Sequence, residues 1–102
     1  MEYANAAANW WGEYLQKAVG YDAQVIASFV EALAELFVEK VREYPRWLFV
    51  PAWGDDSVIY EAAKKIGITF PKVYEDIKME VSENEVLVAI GPGADKRIFP
   101  AS

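Results

Sequence analysis

The chain reads as an α+β domain: two N-terminal helices, a third helix, and a small, mainly antiparallel three-stranded sheet, in the order ααβαββ. Three observations predict this. Apolar residues recur at spacings of three and four through the first 44 positions, the signature of helices with one buried face. Strict alternation of apolar and polar residues then appears at 77–81, the signature of a half-buried strand, and is followed at 86–90 by a run in which Val86, Val88 and Ile90 alternate with Leu87 and Ala89. An apolar fraction of 54% and an aromatic fraction of 15% supply enough material for an ordered core. The length, 102 residues, fits one domain.

The first helix runs from about Tyr3 to Val19. Ala7, Trp11, Leu15 and Ala18 form its apolar line, with Trp10 and Tyr14 beside them, and Gly20 supplies a left-handed stop. Trp10 and Trp11 point about 100° apart, so one of the pair should be partly exposed.

In the second helix Asp22 caps the first turn, and Tyr21 can staple onto Ile26. Ile26, Phe29, Val30, Leu33, Phe37, Val41 and Tyr44 make the buried stripe, while Glu31, Glu35, Glu39 and Glu43 face the other way. Pro45 disfavours helical geometry at Tyr44 and closes the element.

Trp47-Leu48-Phe49-Val50 is a continuously apolar strand between Pro45 and Pro51. Because Pro51 lacks an amide donor, that end belongs to a sheet edge or an exit. Gly54-Asp55-Asp56-Ser57 opens the third helix, with Val58, Ile59, Ala62, Ala63 and Ile66 buried and Gly67-Ile68 terminating it. Phe70-Pro71 then forces an extended exit. The last unit is a β-hairpin turning at Glu83-Asn84. It pairs Val81 with Val86, Met79 with Val88 and Ile77 with Ile90, since a one-residue slip would send every inward side chain outward. Gly91-Pro92-Gly93 ends the strand, leaving residues 92–102 as a loosely attached tail of the single domain 1–102.

Chemistry is narrowed by what the chain lacks. It has no histidine and no cysteine, which removes the usual neutral-pH proton shuttle, the reactive thiolate and the common soft metal ligands. Asp55-Asp56 could hold a hard cation, but such ions want about six oxygens, and the pair reads better as negative charge at a helix N-terminus. Glu75-Asp76 together with Asp55-Asp56 could supply two glycosidase carboxylates, although nothing in the spacing sets them opposite one another. Ser57 has no histidine to activate it, and Lys64-Lys65 faces outward. Gly91-Pro92-Gly93 lacks the spacing of a phosphate loop. The expectation is a non-enzyme with no catalytic residue, no metal and no cofactor.

Sixteen acidic against ten basic residues leave a formal charge of −6. Such a surface repels nucleic-acid backbones and anionic membranes, so direct contact with either is not expected. The start of the chain has no basic leader and nothing spans a bilayer, so cytoplasm is the expected compartment. Two acidic groups are candidates for binding a basic partner: Glu31, Glu35 and Glu39 along one helical ridge, and Glu80, Glu83 and Glu85 at the hairpin tip. Together they would resemble the charge pattern of nucleic acid. Trp53, beside Gly54 in a loop, is a candidate anchor, since tryptophan is enriched at interface centres.

Three segments resemble small, mostly uncharacterised proteins of phages and prophages of Gram-positive bacteria: Ala6-Ala7-Ala8-Asn9-Trp10-Trp11, the stretch from Ile59 to Ile68, and Phe70-Pro71-Lys72. The chain departs from that pattern at Val50-Pro51-Ala52-Trp53-Gly54, where the family has a polar, glycine-containing loop. The resemblance carries over no site residue. It implies an anti-CRISPR-like context, in which small acidic phage proteins plug basic, nucleic-acid-binding sites of host defence nucleases. Two other readings stand beside it. One is a small-molecule or nucleotide-signal binding module lined by aromatic residues. The other is a self-associating structural or regulatory subunit, a homodimer for example, joined through exposed tryptophans.

Overall fold

A helical hairpin forms first along the chain. In the computed structural model, which describes residues 1–43, 47–53, 57–73 and 76–100, α1 spans Glu2–Val19 and α2 spans Ala23–Glu43. Alanine-rich sequence favours α1 intrinsically. Gly20 closes it in the left-handed region at φ 81°, where a Cβ would clash with the following carbonyl. Asp22 then accepts a 3.0 Å hydrogen bond from the Val25 amide, satisfying a first-turn donor that α2 cannot satisfy itself. The expected stop at Tyr44-Pro45 lies outside the described residues, as does Tyr44 itself; α2 is helical to Glu43.

α1 and α2 pack closely because Gly12 sits at their crossing. A Cβ at Gly12 would lie 2.5 Å from Val30 Cγ2 and 3.5 Å from Ile26 Cγ2. From α1 the core takes Ala4, Ala7, Ala8, Trp11 and Leu15, whereas Ala18, in the last turn of the helix, is exposed. Trp11 is fully buried and its Nε1–H donates to the Met79 sulfur at 3.2 Å. Trp10 is half-buried, as the 100° offset required. From α2 the core takes Phe29, Leu33, Phe37 and Val41, but Ile26 and Val30 are only half-buried.

The sheet is antiparallel and runs β1-β2-β3-β4 in both sequence and space, with β1 at Leu48–Pro51, β2 at Ile77–Val81, β3 at Val86–Ile90 and β4 at Lys96–Phe99. The hairpin has the expected register, Val81 opposite Val86, Met79 opposite Val88 and Ile77 opposite Ile90. Ile77 is buried while Ile90, at the strand's end, is half exposed. The turn closes through the Ser82 hydroxyl, which accepts from the Glu85 amide and donates to the Glu85 carbonyl, both at 3.1 Å. No non-glycine residue among those described has positive φ, so the turn at Glu83-Asn84 forms without a left-handed residue.

Two expectations need correction. The sheet has four strands, not three, and the fourth forms from the segment read as a loose tail. β4 pairs along β3 with a register shift at Val86/Leu87, and Ile98 and Phe99 pack against the core beneath α1. Lys96 and Arg97 hid it, because an edge strand gains its pairing from backbone groups that side-chain alternation does not report. Gly91, at φ 61°, and Gly93 lie in the turn that redirects the chain into β4.

α3, Val58–Lys65, is tied to the end of β1. The Ser57 hydroxyl donates to the Pro51 carbonyl and the Tyr60 hydroxyl to the Ala52 carbonyl, each at 2.7 Å. The expected cap at Asp55-Asp56 lies outside the described residues. Gly67 at φ 76° ends the helix, its amide reaching the Lys64 carbonyl and that of Ile68 the Ala63 carbonyl, the paired bonds of a Schellman motif. Just beyond, buried Phe70 meets Trp11, Tyr14, Phe29 and Tyr60 with ring centroids 5.5–6.3 Å apart. Much of the aromatic surplus is therefore packing. One contiguous core joins all three helices to one face of the sheet.

Candidate partner-binding surface

Glu31, Glu35 and Glu39 stand one turn apart on the outward side of α2, and all three are exposed. None makes an ion pair among the described residues. The nearby base that could have relieved them is used elsewhere: Lys40 reaches across to Glu61 of α3 at 3.6 Å. The ridge therefore carries three uncompensated carboxylates along about 12 Å of helix.

Beside that ridge lies a groove of about 610 Å³ between α1 and α2. Its floor is apolar, with Ile26, Val30, Ala34 and Val38 contributed by α2 and Ala4 by α1. Glu31 and Glu35 border it on one side, Asn5, Asn9 and Gln16 on the other. The groove was not anticipated as a site. Ile26 and Val30 read as core on periodicity alone, yet the spacing of four through Ala34 and Val38 was a legible sign of a second, half-covered stripe.

A smaller hollow of about 350 Å³ adjoins at Met1, which lines both, and brings Glu83 of the hairpin tip to Glu2, Tyr3 and Phe99. Burial raises the pKa of the Tyr3 hydroxyl above its ordinary 10.0, and the Glu83 carboxylate adds to the effect while the Arg42 guanidinium opposes it. One acid of the hairpin tip is thus next to the start of the helical groove.

The other candidate residues lie apart. Met79 faces α1, so its neighbours Lys78 and Glu80 face the opposite side of the sheet. There Glu80 sits in a row between Phe49 and Leu87, with Arg97 beyond. Trp53 is exposed on the same side, edge-on to Phe49 with centroids 6.3 Å apart. Glu85, half-buried, belongs to the turn, where its backbone closes on Ser82. The seven candidates therefore occupy the α2 ridge, the hairpin tip and the outer sheet face, not one continuous surface.

For chemistry, the Ser57 hydroxyl is engaged by the Pro51 carbonyl, and Lys64 and Lys65 are exposed. Asp55, Asp56 and Glu75 lie outside the described residues, while Asp76 is exposed. Among the described residues no group of three or more acidic, histidine or cysteine side chains is placed to hold a metal ion, and no helix is long and apolar enough to cross a membrane. No protein-family model matches the chain, and no curated protein matches it.

Proposed function

We propose that this protein is a non-enzymatic, acidic, phage-type inhibitor, anti-CRISPR-like, that binds a basic nucleic-acid-binding surface of a host defence nuclease. The observation that carries the reading is the uncompensated ridge of Glu31, Glu35 and Glu39 beside an apolar groove. Unpaired carboxylates on a rigid helix attract a positive partner at long range, and the apolar floor rewards close docking. Glu83 extends the negative field past the start of α1, and cytoplasm is the compartment where such a partner would be met.

The test is a cleavage assay in which the protein is titrated into a set of nucleic-acid-degrading defence nucleases. The wild-type chain inhibits one of them, the inhibition weakens as salt rises, and changing Glu31, Glu35 and Glu39 together to lysine abolishes it. Inhibition that is salt-indifferent, or that survives the triple change, would overturn the reading.

The groove also favours a second reading, a small-ligand site, because its volume falls in the range of roughly 300–1,000 Å³ typical of such pockets. Its glutamate border repels phosphates, so this ligand would be a neutral or cationic amphiphile and not a nucleotide signal. A thermal-shift screen separates the two: a specific ligand raises the melting temperature as its occupancy rises.

A further inference from the structure

We infer that the groove between α1 and α2 receives an amphipathic helix of the partner, apolar along one stripe and rich in lysine or arginine along its edges. The inference rests on the acidic-inhibitor reading and names the element by which the partner would be recognised.

Shape is the first argument. Ile26, Val30, Ala34 and Val38 are spaced by four and half-buried, so they form the kind of ridge that interdigitates with a second helix. Ala4, Ala27 and Ala34 are small side chains in the lining, which lets an incoming backbone approach to a helix–helix distance of about 8–10 Å. From Ala23 to Val38 the groove follows α2 for roughly 22 Å, the length of a four-turn helix. An isolated helix of that size is marginal in water and gains most of its stability by burying one face.

Charge selects the occupant. No lysine or arginine side chain among the described residues lines the groove, while Glu31 and Glu35 run along one border and Asn5, Asn9 and Gln16 along the other. A second copy of this chain would bring its own glutamates against these. An anionic lipid surface or a nucleic acid would meet the same repulsion. A basic helix instead sets lysine or arginine opposite Glu31 and Glu35, places amide-compatible polar groups opposite the asparagines, and fills the floor with apolar anchors.

The experiment uses the full chain and a fluorescein-labelled synthetic peptide of roughly 16 residues, long enough for the groove. Leucine occupies helical positions i, i+3, i+4 and i+7, and lysine occupies most others. A scrambled peptide of identical composition has no helical stripe. Fluorescence anisotropy should show the amphipathic peptide binding roughly tenfold or more tightly than the scramble. Binding should fall by a similar factor in Ala27→Arg, which fills the groove and offsets part of its negative charge, and in Glu31→Lys/Glu35→Lys. Ala27 is exposed, so Ala27→Arg should keep the wild-type circular dichroism, and Ala27→Gln, which adds bulk without charge, serves as the second variant.

Equal binding of both peptides would overturn the inference, because charge alone would then account for the contact. So would unchanged affinity in both Ala27 variants, or no binding of either peptide. If the peptide fails while nuclease inhibition still depends on Glu31, Glu35 and Glu39, the helix inference falls and the inhibitor reading stands. If the peptide binds as expected while no nuclease is inhibited, the failure belongs to the inhibitor reading alone.

Discussion

Gly12 shows how a single missing methyl group sets the helical hairpin. In a solvent-exposed helix, Gly→Ala stabilises by up to about 1 kcal/mol through propensity. Here the added carbon would meet Val30 Cγ2 at 2.5 Å, and a β-branched side chain in a helix has essentially one rotamer to retreat to. Overpacking wins, and Gly12→Ala should destabilise by about 1–3 kcal/mol. Denaturant melts check this, and Val30→Ala in the same chain should recover part of the loss. Tyr3 gives a second residue-level test. Its folded-state pKa is raised, so the folded protein holds that proton more tightly than the unfolded chain. The associated stability is complete below the ordinary value of 10.0 and is lost as pH rises through the folded value. Tyr3→Phe should therefore melt with a shallower alkaline decline than wild type, the difference opening as pH rises past the ordinary value of 10.0. Neither effect was legible beforehand: Gly12 sat unremarked inside a helical pattern, and Tyr3 meets Glu83 only through the fold.

At the scale of elements, the sequence was most readable where one local rule decided the outcome. Asp22 capping α2, Gly20 and Gly67 ending their helices, and the register of the 77–90 hairpin all follow from short-range chemistry. β4 was missed because its pairing with β3 is made by backbone groups, while Lys96 and Arg97 give it no apolar alternation to read. α2 supplies a test that separates function from stability. Glu35 stands between Glu31 and Glu39, and like charges four apart are mutually unfavourable. Glu35→Lys replaces two repulsions by two attractions and should stabilise the fold by about 0.5–1 kcal/mol at low salt. The same change should weaken partner binding. A variant both less stable and equally competent would show that the ridge serves the fold and not recognition.

Across the whole molecule, the aromatic surplus divides into a packing share and a surface share. Phe70 gathers Trp11, Tyr14, Phe29 and Tyr60 around it, while Trp47, Phe49 and Trp53 stay exposed. Charge divides as well: the α2 ridge and Glu83 approach the helical groove, whereas Glu80 faces the other side of the sheet. Composition could supply the acidity and periodicity the ridge, but their separation from Glu80 and Trp53 required the sheet to be in place. Amide chemical-shift mapping of the full chain during titration with the basic helical peptide tests the central claim most directly. The largest shifts should fall at Asn5, Asn9, Ala27, Glu31 and Glu35 and shrink as salt is raised. Shifts centred on Phe49, Trp53 and Leu87, or shifts that salt leaves unchanged, would contradict it.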